Sequence, residues 1–119
     1  MSRRDITSRV DRRTEIGMDF LVRATPTNGL LDLPGEERDL LMAREREVAS
    51  ALIEAGPITW MWRLPGTGTS VTIWNAEDVE TLERHLGTLP VRPYNVLEIT
   101  ALAAHPAFPT PLRAIHASA

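Results

Sequence analysis

The chain contains no cysteine and no lysine. Without cysteine it has no disulfide, no thiolate nucleophile and no Cys-ligated zinc site. Without lysine no side-chain amine can form a Schiff base, and the 13 basic residues are all arginine. Asp, Glu, His, Tyr and Ser remain as the groups able to move protons or attack. Long apolar runs are also missing: no stretch approaches the roughly 20 residues that cross a bilayer. Residues 1–17 lack the apolar core of a secretory signal, so a cytoplasmic location without a membrane partner is expected. Three histidines, His85, His105 and His116, are too scattered for ligand spacing, and no metal site is expected.

What is present is the balance of an ordinary globular protein, with 43% apolar and 24% charged residues in 119. That length suits one domain. Net charge is −3. The one basic cluster, Arg3, Arg4, Arg9, Arg12 and Arg13, is interleaved with Asp5, Asp11 and Glu15, and no aromatics accompany it. A solvated arm fits this better than a nucleic-acid grip. The chain divides into an N-terminal extension (1–17), a domain (18–106) and a C-terminal tail (107–119) rich in proline and small residues.

Within the domain, Asp19-Phe20-Leu21-Val22-Arg23 reads as a first strand ending in the turn-prone Thr25-Pro26-Thr27-Asn28-Gly29. Glu36 to Ala55 reads as a long helix, with acids in its first turn and Gly56-Pro57 beyond its end. Ile58 to Arg63 and Thr69 to Trp74 are β-branched and aromatic, and Leu64-Pro65-Gly66-Thr67-Gly68 joins them as a strand pair. Asn75 suits the cap of a second helix that buries Val79, Leu82 and Leu86. Pro90, Pro93 and Tyr94 make a stiff connection to a fourth strand, Val96 to Leu102. The order β-α-β-β-α-β predicts an α+β, ferredoxin-like fold: an antiparallel sheet with two helices on one face. Trp60 and Trp62 share a parity, as do Phe20 and Val22, so both faces of the sheet need cover. Pairing with a second copy of the chain would supply it.

On the long helix, Leu41, Val48, Leu52 and Ala55 form one stripe at a period of about 3.6. Glu45 falls inside that stripe, roughly 40° from Leu41 at about 100° per residue. Arg46, Glu47 and Glu54 point away, as a surface helix requires. A carboxylate in an apolar setting gains proton affinity, which suits a group that takes and returns a proton. The competing reading is architectural, with Glu45 paired to an arginine such as Arg63.

The segment Leu41 to Ala49, followed by Leu52, Gly56, Met61-Trp62-Arg63 and Gly66, resembles muconolactone delta-isomerases. Leu89-Pro90-Val91-Arg92-Pro93-Tyr94, then Leu97-Glu98-Ile99 and His105-Pro106, is similar to that family's LPLFPY, IEV and HP signature. With Phe20-Leu21-Val22-Arg23 the match spans Met18 to Pro106. This resemblance implies an isomerase that shifts a proton between carbons of an unsaturated lactone without a cofactor. It also implies homo-oligomers, dimers at least and decameric rings in known members, with sites at subunit contacts. Glu45 matches a family glutamate implicated in the transfer. Arg63, Ser70, Tyr94, Trp60 and Trp62 are the substrate-binding candidates, as donors for an enolate intermediate.

The first loop, Thr25 to Gly35, does not follow the family's short hydrophobic-Pro pattern, and four single positions depart as well. Gly68 and Ser70 replace an aromatic and an asparagine, Trp60 stands where His or Tyr is common, and Arg92 stands where Phe is usual. Small residues at Gly68 and Thr69 predict a wider, less polar pocket. Three functions therefore compete: a catabolic muconolactone isomerase, an isomerase or cyclase recruited to a larger substrate in specialised metabolism, and a non-catalytic binding or assembly protein. The departures favour the second.

Overall fold

A computed structural model describes residues 17–108. The expectations for residues 1–16, including the arginine cluster, for the tail from residue 109 on and for His116 lie outside the described residues. Six principal elements follow the predicted order: β1 (Met18–Pro26), α2 (Gly35–Ala55), β2 (Ile58–Arg63), β3 (Ser70–Ala76), α3 (Val79–Gly87) and β4 (Asn95–Leu102). A one-turn helix, α1 (Asn28–Leu31), and a 3-10 turn (Arg92–Tyr94) complete the set. The strands form one antiparallel sheet in the order β2-β3-β1-β4, which is the ferredoxin-like arrangement.

Several local expectations change; Val79, expected on the buried face of α3 with Leu82 and Leu86, is exposed. The turn expected to begin at Thr25 begins later, because Thr25 and Pro26 still pair with Val96 and Asn95 of β4. On the β3 side the pairing ends at Ala24 opposite Ser70, so no β3 residue needs the N–H that Pro26 lacks. Asn75 does not cap α3. It remains in β3 and donates from Nδ2 to Asp19 Oδ1 at 3.0 Å, while Asp78 is the cap, its carboxylate accepting from the Thr81 N–H at 2.8 Å. That bond to the ionised form also holds the Asp78 carboxyl below its ordinary value.

Register decides what each face carries. Phe20, Val22 and Ala24 lie opposite Trp74, Thr72 and Ser70, and on the other side opposite Ala101, Ile99 and Leu97. All of these share the helix-covered face. A bulge in β2 then reverses its parity: Ile58 pairs with Trp74, but Trp60 pairs with Ile73, so Met61 and Arg63 join the helix side at Thr72 and Ser70. Trp60 and Trp62 consequently lie on the far face, stacked with ring centroids 5.5 Å apart. Arg23 and Glu98 meet there at 4.0 Å.

The core fills the space under the helices. Phe20, Val22, Ile58, Trp74, Leu82 and Leu86 are buried together, with Leu52, Leu89, Leu97 and Ile99 packed at the margin. Most of the helical contribution to this core comes from α3. On α2 only Ala49 is fully buried, while Leu41, Val48 and Leu52 are half-buried. Ala55 leaves the expected stripe and is exposed at the last position of the helix, where Gly56 at φ 111° turns the chain out and returns its N–H to Leu52 O at 3.1 Å.

Candidate functional site

The loose fit of α2 against the sheet leaves a cavity of about 60 Å³ between them, room for a handful of water-sized groups. Its apolar wall includes Val22, Ile58, Leu86 and Leu97, and its polar wall is Glu45, Ser70, Thr72, Arg92 and Asn95. Glu45 is the one carboxylate in this lining.

Glu45 reaches the cavity because position 45 lies on the sheet-facing stripe, a turn before Ala49. The Val91 N–H donates to its Oε1 at 3.1 Å. Burial pushes its carboxyl above the ordinary value of 4.5, and the Val91 bond offsets part of that rise. No ion pair joins Glu45 to Arg63, so the architectural pairing considered from sequence is not formed among the described residues. Glu45 is therefore a half-buried acid that accepts a hydrogen bond from one peptide N–H.

Two further groups shape the wall. The Trp74 indole N–H donates to Thr72 Oγ1 at 2.7 Å, and that hydroxyl donates to the Val22 carbonyl at 3.3 Å. Both are locked by these bonds and by burial. Ser70 sits on the same strand and face and lines the cavity.

The remaining sequence-selected residues are dispersed. Arg63 lies opposite Ser70 across the β2–β3 pair and is exposed outside the lining. Tyr94 is in the 3-10 turn beside α1, and its carbonyl accepts from the Thr27 N–H and Oγ1 at 2.8 and 2.7 Å. Trp60 and Trp62 are across the sheet from Glu45, so one protomer does not bring them into the cavity. Simple alternation from the inward-facing Ile58 would have placed them there, and the bulge prevents it.

Sequence reasoning does not assign Val91 to the site and marks Arg92 only as a departure from the family pattern; the proline-bracketed segment before β4 delivers both to the cavity. The bracketing by Pro90 and Pro93 was the available signal, and it read only as a stiff connection. Gly68 also changes meaning. A Cβ there would come within 2.8 Å of Pro26 Cγ, so glycine answers a close approach of the β2–β3 loop to the end of β1, not a wider pocket. Gly68→Ala is expected to cost about 1–3 kcal/mol through overpacking, read as a lower urea midpoint with the m-value unchanged.

Among the described residues no His or carboxylate cluster could hold a metal ion, and no helix is long and apolar enough to cross a membrane.

The sequence model of the muconolactone delta-isomerase family matches residues 18–107. Muconolactone delta-isomerase of Pseudomonas aeruginosa is 32% identical over 76 residues, covering 64% of this chain and 79% of its own length. Muconolactone delta-isomerase 1 of Acinetobacter lwoffii is 35% identical over 75 residues, covering 63% and 78%. A crystal structure of muconolactone isomerase aligns at a TM-score of 0.67 and 30% identity, covering 76% of this chain and 93% of that one.

Proposed function

The chain belongs to the muconolactone delta-isomerase family, and on that premise we propose that it moves a proton between carbons of an unsaturated lactone or carbonyl compound, with Glu45 as the shuttling base. It is an isomerase of that family. The observation that carries the assignment of Glu45 is its place as the cavity's sole carboxylate, with proton affinity raised by burial. A base of that kind is a better proton acceptor from carbon than an ordinary surface glutamate, and its conjugate acid still returns the proton.

The reaction so proposed needs a base and donors for the enolate oxygen. Ser70 and Asn95 are the neutral donors in the wall. Arg63, at the rim opposite Ser70, is a third group within the same face.

Two substrate readings remain. The names of the relatives and the small cavity favour a compact lactone, with muconolactone the first compound to assay. The recruited-isomerase reading is favoured by Ser70 and Arg92, which line the cavity and differ from the family's usual residues. The Gly68 argument for a wide pocket no longer supports it. Turnover of muconolactone by the wild-type protein decides between the readings, and Glu45→Gln tests the base.

We further propose that the far face of the sheet pairs with a second copy. Trp62 is 48% exposed there, and Val96 and Leu102 of β4 share that face in the register. Exposed apolar side chains on an uncovered sheet face are a common feature of subunit contacts. If Trp60 and Trp62 meet substrate at all, they do so through such an assembly. Trp62→Arg is expected to shift the protein to a smaller species in sedimentation velocity, with its far-UV circular dichroism unchanged.

A further inference from the structure

We propose that Thr27 is a positioning residue for the base: it clamps the turn that presents the Val91 N–H to Glu45, and so fixes where the carboxylate sits in the cavity. This rests on the reading of Glu45 as the base and adds a group outside the cavity that sets its place.

Tyr94 and Val91 link Thr27 to the carboxylate through hydrogen bonds. The Thr27 N–H and Oγ1 both donate to the Tyr94 carbonyl, at 2.8 and 2.7 Å. The Tyr94 N–H donates to the Val91 carbonyl at 2.9 Å, and the Val91 N–H donates to Glu45 Oε1 at 3.1 Å. The segment between has little freedom, because Pro90 and Pro93 each fix φ and the Arg92 N–H closes a further turn on the Leu89 carbonyl at 3.0 Å. A displacement at Tyr94 is therefore passed on to Val91. The β1–β4 register ends at Pro26 opposite Asn95, and Pro26 has no N–H to give, so the hold on the turn beyond that point falls to Thr27.

Thr27 is itself held by α1. Its carbonyl accepts from the Leu30 and Leu31 N–H groups at 3.1 and 3.3 Å, and Leu30 is buried. A Cβ at Gly29 would lie 3.4 Å from Thr27 Oγ1 and 3.7 Å from Tyr94 Cδ1, so α1 sits directly against both partners of the clamp. None of residues 27–31 is in the cavity lining. The loop after β1 thus supports the site from outside. Removing the Thr27 hydroxyl leaves the backbone bond to Tyr94 in place, so the turn loosens without being released. The Val91 bond opposes the effect of burial on Glu45, and loosening it raises the proton affinity of the carboxylate.

The test is NMR spectroscopy of the substrate-free protein, comparing wild type with Thr27→Val and Thr27→Ser. In Thr27→Val the Val91 amide is expected to exchange with solvent about three- to tenfold faster, the range for one hydrogen bond. The Glu45 side-chain carboxyl carbon, assigned by its loss in Glu45→Gln, is expected to titrate higher by up to about one unit. Arg92, the other charged residue in the lining, has its Nη2 3.7 Å from Glu83 Oε2 on α3. Thr27→Ala also lacks the hydroxyl and should give the same pair of shifts, whereas Thr27→Ser keeps it and should restore both. The slowest-exchanging amides of β1 and β3 serve as the reference: a merely structural role would speed them together with Val91 and leave the Glu45 midpoint in place. An unchanged Glu45 midpoint in Thr27→Val and Thr27→Ala, or a failure of Thr27→Ser to restore it, would overturn the proposal. These readouts involve no turnover, so a failure of Glu45 as base appears separately, as unaltered catalysis in Glu45→Gln while the clamp behaves as expected.

Discussion

Glu45→Gln is expected to lower kcat by about 10²–10⁴-fold, the usual contribution of a positioned acid–base group. The replacement keeps the oxygen that accepts from the Val91 N–H, so position and volume are nearly unchanged and the loss belongs to the proton. The wild-type rate should rise with pH through a value above 4.5, because the carboxylate must be ionised to accept and burial opposes ionisation. Stability should move the opposite way. A group whose pKa is raised on folding contributes fully below its unfolded pKa, and that contribution is lost as pH rises through the folded value. Glutamine never ionises. The variant should therefore melt at or above wild type at neutral pH, with the gap closing as pH falls below the ordinary glutamate range. An inactive variant that is also less stable at neutral pH would point to architecture instead.

Leu82→Ala is expected to be among the most damaging aliphatic truncations in the fold, at about 2–5 kcal/mol. Leu82 is at 0% exposure, pressed from α3 into the cluster of Phe20, Val22, Trp74 and Leu86. The lost contacts cannot be recovered from α2, which buries only Ala49. For a protein whose total stability is of order 5–15 kcal/mol, the thermal midpoint should fall by about 10–30 °C. Leu40→Ala is the matched control: at 63% exposure it should leave the midpoint nearly unchanged. Equal shifts in calorimetry would mean that α2 carries more of the core than its burial indicates.

The order of strands and helices was readable because each element has its own period and its own stop signals, such as Gly56 after α2. Glu45 was readable for a related reason: a charge at a position where the helix period calls for an apolar residue is visible without coordinates. The tryptophans were not. Their face depends on one extra residue in β2 between Ile58 and Trp60, and a bulge leaves no mark in the alternation on either side of it. Arg92 stood out only by departing from the family pattern, because a loop residue has no period to violate, and its place beside Glu45 in the lining arises only when the segment before β4 folds against α2. Asn75 and Asp78 are both good cap residues. Pairing of Asn75 with Asp19 of β1 decided between them, and that is a contact 56 residues away in sequence.

Trp74 forms part of the cavity wall, 1% exposed and fixed by its bond to Thr72, with the His85 ring 6.5 Å away. The other two indoles are on the opposite side of the sheet. The site thus contains its own optical gauge: a molecule entering beside Glu45 changes the surroundings of one sheltered chromophore, whose emission can be followed alone once Trp60 and Trp62 are replaced by phenylalanine.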